Sequence, residues 1–117
     1  MSYFVVTTCS AEGWRDYGQR MVESFLHRWD DDIHLFIYVE DFEVPDHPRL
    51  HEMRFPRWFI KWRSDLRDKK DAHGLDVRRN RRRRSYDYRR DCVRFSHKVA
   101  AFTDIGADAD PADIMIV

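Results

Sequence analysis

Arg94 and Lys98 stand four residues apart in the run Arg94-Phe95-Ser96-His97-Lys98-Val99. On a helix that spacing puts both cations on one face, with His97 beside them. The fork of Arg94 could then grip phosphate or ribose oxygens while Lys98 supplies a point charge. A solvated basic face has the same residues, so position must decide between the two. Thr7 and Thr8 close a short apolar run, Tyr3 to Val6, and Glu40 and Asp41 close another, Ile33 to Val39. Small hydroxyls and carboxylates at the carboxyl ends of strands are placed to hold a base or a ribose. No glycine-rich phosphate cradle is present, which argues against a dinucleotide-binding or P-loop site.

A second chemistry competes for attention. Between Asp76 and Arg94 there are nine Arg and three Asp, a local net charge of +6, including Arg81 to Arg84 in succession with Tyr86 and Tyr88 close by. Arginine interleaved with aromatic rings suits phosphate contacts and base stacking, so RNA or DNA binding through the tract 78–94 is the alternative function. A flap closing over a diphosphate uses the same residues. His47 and His51 have the spacing of helical metal ligands, but Pro48 lies between them and no third ligand is near in sequence. Cys9 and Cys92 match no zinc, redox or nucleophile pattern and read as core residues.

The elements that must position these groups alternate. Tyr3 to Val6 reads as a buried first strand closed by Thr7, Thr8, Cys9 and Ser10, with Ser10 placed to cap the next helix. Trp14, Tyr17, Met21, Phe25 and Trp29 recur every three or four residues, the pattern of an amphipathic helix on a sheet. Ile33 to Val39, interrupted only by His34, is a strand covered on both sides and parallel to the first. Strand, helix and strand make a right-handed crossover. Leu50 to Phe55 suggests a short strand among Pro45, Pro48 and Pro56. A helix opens at Pro56, with Phe59, Trp62 and Leu66 on one face, Asp65 paired to Lys69, and Gly74 beyond its end. The stretch from Leu75 to Arg90 is an Arg-rich loop within the domain, having little to bury. A further helix has Cys92, Phe95, Val99 and Phe102 on its core stripe and Gly106 as its stop, and Ile114 to Val117 begins another buried strand. The fold class expected is α/β, a partial doubly wound, Rossmann-like, mostly parallel sheet flanked by helices.

At 117 residues, with 43% hydrophobic and 15% aromatic content, the chain fits within one domain, 1–117. Lys+Arg and Asp+Glu both number 21, so no global field steers a partner. The cysteines suggest a reducing compartment, and with no leader and no apolar run approaching the ~20 residues of a membrane span, a cytoplasmic protein is expected.

The Arg94-to-Val99 helix, the strand Asp113-Ile114-Met115-Ile116-Val117 after it and the opening Tyr3-Phe4-Val5-Val6-Thr7-Thr8 together resemble the first half of a GT-A type glycosyltransferase, similar to the nucleotide-diphospho-sugar transferases of phages and bacteria. The resemblance covers most of the chain, and its specific part is the helix and its spacing to the strand. It implies sugar transfer from a nucleotide-diphosphate sugar, with Thr7, Thr8, Glu40, Asp41, Arg94, His97 and Lys98 as the donor-binding residues. It also implies a divalent metal, Mn or Mg, held by an Asp-x-Asp motif that would follow Val117. The chain would then be an amino-terminal portion, inactive alone and carrying no metal ligands of its own.

Overall fold

The computed structural model describes residues 2–75, 86–111 and 113–117. In chain order the elements are β1 (Tyr3–Ser10), α1 (Ala11–Gly13), a π turn (Trp14–Gly18), α2 (Gln19–Arg28), β2 (His34–Glu40), β3 (Leu50–Met53), α3 (Arg57–Asp65), a 3-10 turn (Lys70–Ala72), β4 (His73–Leu75), β5 (Tyr86–Asp91), α4 (Cys92–Asp108) and β6 (Ile114–Ile116). They form two compact units. The first runs up to Phe55 and resumes with Ala101–Val117, and the second is Pro56–Ala100.

The first unit is α/β, built on a four-stranded sheet in the order β3-β2-β1-β6 with every neighbouring pair parallel. Its first strand runs two residues beyond Thr8, to Ser10. There Ser10 takes an extended backbone and its Oγ accepts from the Gly13 amide at 3.1 Å, the helix cap expected of it. The periodicity of Trp14, Tyr17, Met21, Phe25 and Trp29 assumes an uninterrupted α-helix. The π turn, with the Gln19 amide bonded to the Trp14 carbonyl, lodges an extra residue in the spiral and rotates the face. Gly13, Gly18, Val22 and Phe25 therefore go inward, while Tyr17 is 58% exposed and Trp29 39% exposed. Gly18 marks the tightest approach to the sheet, since a Cβ there would lie 2.9 Å from Trp14 and 3.1 Å from Cys9 Sγ.

Side chains alternate between the two faces of a strand. One face sends Val5, Cys9, Leu35, Ile37, Val39 and Leu50 into the core with Val22 and Phe25, and Trp14, Met21 and Leu26 close over it. Each fully buried aliphatic side chain there contributes about 1.5–3 kcal/mol. Strands β2 and β3 are parallel, yet residues 41–49 join them without a helix. Pro45 lies in its irregular middle and Pro48 in the turn that closes it, where the Leu50 amide bonds the His47 carbonyl at 3.0 Å, and its Phe42 and Val44 pack on the core where a crossover helix would otherwise sit.

Arg49 fastens the end of that connection. Its side chain is buried, and Nε donates to Ile33 O at 3.0 Å, Nη1 to Leu26 O at 3.3 Å and to Asp31 Oδ1 at 3.4 Å, and Nη2 to Trp29 O at 3.2 Å and Asp30 O at 2.8 Å. The guanidinium lies 4.8 Å from the centre of the Phe25 ring. All of its N–H capacity is spent on carbonyls where α2 ends and on one carboxylate.

The opposite face is aromatic. Phe4 meets Phe36 edge to face at 5.8 Å, Phe36 stacks on His51 at 4.6 Å, and Tyr38, fully buried, packs on Phe55 and donates its hydroxyl to Asp104 Oδ2 at 2.6 Å. The buried strand expected at the end of the chain is instead a margin of the sheet, paired to β1 on one side, and Ile114 and Met115 are each more than a third exposed.

In the second unit α3 begins after Pro56, and Phe59 is its buried anchor. The expected Asp65 to Lys69 pair does not form. The helix ends at Asp65, which instead bonds Lys61 one turn earlier at 3.1 Å. Leu75 and Tyr86–Arg90, expected within a loop, belong to strands, β4 pairing antiparallel with β5. Gly74 has φ 78° and approaches the Asp87 carbonyl so closely that a Cβ would lie 2.6 Å from it. Residues 76–85, including Arg81 to Arg84, lie outside the described residues. Asp91, buried, caps α4 by accepting the Arg94 amide at 3.0 Å and takes the Tyr86 hydroxyl at 2.8 Å. The core stripe expected of α4 is displaced. Cys92, Phe95 and Val99 are exposed, whereas Val93, His97, Ala100 and Ala101 are buried. The small Ala pair permits close packing without contributing to a stripe of large apolar residues.

Candidate functional site

Strand order locates the crevice of an open parallel sheet. From β1 the chain proceeds outward through β2 to β3, then returns to the other side of β1 as β6. The order reverses at β1, and ligands of such sheets bind outside the carboxyl ends of the strands at that reversal. What stands there is set by register. Ser10 pairs with Glu40, so the last residues of β1 and β2 are adjacent. Asp41 follows with φ 58°, a left-handed conformation that Asp tolerates and that bends the chain sharply as it leaves the strand. Phe42 then stacks on Trp14, centroids 5.0 Å apart and planes 20° from parallel, making an aromatic wall beside the edge. Beneath it is Cys9, whose thiol is pushed up from its ordinary value by burial and then by the charge of Glu40.

The candidate residues distribute unevenly over this frame. Glu40 and Asp41 lie at the carboxyl edge. Thr7 and Thr8 are half-buried within β1, two or three residues short of its end, and strand alternation sends them to opposite faces. The hydroxyl at the end of β1 belongs to Ser10. The signal that would have found the Ser10 and Glu40 pair is the strand register, which cannot be read until both strand lengths are known.

Arg94, His97 and Lys98 belong to the second unit, on α4. Arg94 and Lys98 are exposed one turn apart. His97 is buried. Its Nδ1 lies 2.8 Å from the Val93 carbonyl, its Nε2 3.0 Å from Arg63 Nη1, and its ring meets Phe59 edge to face at 5.0 Å. A carbonyl on one nitrogen and a guanidinium donor on the other fix the neutral tautomer that carries its hydrogen on Nδ1. Both nitrogens are thereby committed to the protein, so His97 orders the α3–α4 packing of its own unit.

A second concavity opens on the aromatic face near the amino ends of β1 and β2. It encloses about 460 Å³ over Tyr3, Phe4, Phe36 and Met53, with Asp32, Asp104, Asp108 and Asp113 around it. His34, also in its wall, places Nδ1 2.7 Å from His51 Nε2, and the two rings stack at 5.0 Å. Burial, and then the neighbouring His34, lower the basicity of His51. His47 is separate, its Nδ1 accepting from the Arg49 amide at 3.1 Å.

Among the described residues no group of three or more His, Cys, Asp or Glu is arranged to hold a metal ion. No helix among them is long and apolar enough to cross a membrane. Comparison of the chain with family models, with curated proteins and with solved structures finds no match.

Proposed function

We propose that this chain supplies the donor-binding part of a GT-A type glycosyltransferase that uses a nucleotide-diphosphate sugar. The observation that carries the reading is the pairing of Ser10 with Glu40 at the carboxyl edge of a parallel sheet whose order reverses at β1. The Glu40 carboxylate is suited to accept from ribose hydroxyls, and Asp41 lies beside it.

Calorimetric titration with uridine and guanosine diphosphates and their sugar conjugates, with and without Mn or Mg, tests the reading. Binding by one nucleotide series is expected, weakened roughly ten-fold or more by Glu40→Gln, as for loss of a charged hydrogen bond. Absence of binding by every nucleotide at millimolar concentration, in protein that unfolds cooperatively, would overturn the proposal.

A further inference from the structure

The overall neutrality of the chain conceals a sharp division between its units. Residues 56–100 contain sixteen Lys or Arg against six Asp or Glu, a net of +10, and the rest of the chain contains five Arg, no Lys and fifteen Asp or Glu, a net of −10. Of the basic unit's charge, ten Lys or Arg and five Asp or Glu fall on described residues. The same unit exposes aromatic rings. Trp58 is 56% exposed, Trp62 39%, Tyr86 51% and Tyr88 61%.

These rings are held in place. On α3, buried Phe59 takes Trp58 edge to face at 5.9 Å and stacks on Trp62 at 6.0 Å, so both indoles are braced from below and retain accessible surface. Arg57 and Lys61, each preceding one of these Trp residues, repeat at the same four-residue interval. On β5, Tyr86 is tied by its hydroxyl to Asp91, and the Arg89 guanidinium lies 5.9 Å from the Tyr88 ring. Asp87 bonds Arg89 at 3.3 Å and lies 3.8 Å from Arg90, and both arginine side chains remain more than half exposed.

We infer that the basic unit is a binding surface for single-stranded nucleic acid, with Trp58, Trp62 and Tyr88 as stacking platforms and Arg57, Lys61, Arg89 and Arg90 as phosphate contacts. Positive charge alone fits any polyanion. Braced, exposed rings beside the charges fit one whose own rings are unstacked, which a duplex does not offer and a single strand does. An interfacial membrane helix would need its apolar residues on one side, and Ile60, 46% exposed, projects about 200° around α3 from Trp58. The inference is independent of the sugar-nucleotide reading, which rests on the other unit's strand edge.

The test is fluorescence anisotropy with labelled oligothymidylate and oligouridylate of about twenty nucleotides at about 50 mM salt. Binding should weaken steeply with added salt. Trp58→Ala and Trp62→Ala should each lose about ten-fold, as for loss of one stacked base. Trp58→Phe should restore most of the affinity, and heparin binding should be unchanged in all three. Arg57→Ser with Lys61→Ser should weaken oligonucleotide and heparin alike and flatten the salt dependence. No binding at low salt overturns the inference. So does equal affinity for oligonucleotide and heparin with no response to Trp58→Ala, or a preference for phosphatidylserine vesicles over oligonucleotide. A protein that binds the oligonucleotides and no nucleotide sugar would leave this inference standing while removing the proposed transferase.

Discussion

Tyr38 and Asp104, 66 residues apart, meet through a 2.6 Å hydrogen bond in which the phenol donates to the carboxylate. The bond joins the middle of β2 to the last turns of α4. Burial first, and then the Asp104 contact, push the Tyr38 hydroxyl above its ordinary value. A raised value in the folded state contributes stability that is complete below about pH 10, the ordinary phenol range, and is lost as pH rises toward the folded value. Absorbance titration should therefore show one of the five phenols ionising late, with that phase missing in Tyr38→Phe. The variant should lose about 1–2 kcal/mol at neutral pH and show a shallower alkaline decline in its urea midpoint.

Arg49 makes a sharper prediction. Arg49→Ala should cost about 2–4 kcal/mol in urea unfolding, because several carbonyls at the end of α2 lose a charged donor together. Arg49→Lys should recover little of this, since a compact ammonium cannot fork to five acceptors. Recovery by Lys to within about 0.5 kcal/mol of the native protein would mean that charge rather than geometry matters there.

The His34 and His51 pair sets an acid limit. His51 has a lowered value in the folded protein, so the stability it confers is present above pH 6.5, its ordinary value, and is lost as pH falls through the folded value. The urea midpoint should decline between about pH 7 and pH 5, and His51→Gln should flatten that decline. An unchanged slope in the variant would assign the acid sensitivity elsewhere.

The two thiols should separate in rate. Cys92 is exposed, whereas Cys9 is buried with its thiol pushed up by burial and by Glu40. Titration with a disulfide reagent at pH 8 should give one fast and one slow equivalent, and Cys92→Ser should abolish the fast one. Glu40→Gln should accelerate the slow phase by removing the nearby negative charge. No change in that phase would contradict the closeness of Glu40 to Cys9 at the strand edge.

Much of the first unit was legible because its strands are long apolar runs and its cap is a serine in the expected place. Val5, Val6, Leu35 and Ile37 declare a covered sheet by composition, and the short strand expected over Leu50 to Phe55 forms over Leu50–Met53. The departures came from features that periodicity does not encode. The π turn changes which helix residues go inward without any change in hydrophobic spacing, so periodicity places Tyr17 in the core and leaves Gly18 out of it. On α4 the inward face is made by Val93, His97 and two alanines, and a histidine satisfied by a carbonyl and a guanidinium resembles a ligand-binding histidine in sequence. Arg49 sits among prolines and loop residues and gave no sign that it would be buried. At the candidate site, Glu40 and Asp41 could be placed from strand length alone, whereas the partnership of Glu40 with Ser10 required register.

The π turn also bears on how much length variation the protein can absorb. A π turn is an α-helix holding one surplus residue, and Tyr17 is one of three exposed residues in this one, with Arg15 and Asp16. Deleting Tyr17 should relax the spiral into continuous α-helix while leaving Ser10 at the cap and Val22 and Phe25 facing the sheet. The deletion variant should therefore fold, with the strand edge at Ser10 undisturbed. Deleting a residue within α2 instead would turn Val22 or Phe25 by about 100° away from the core.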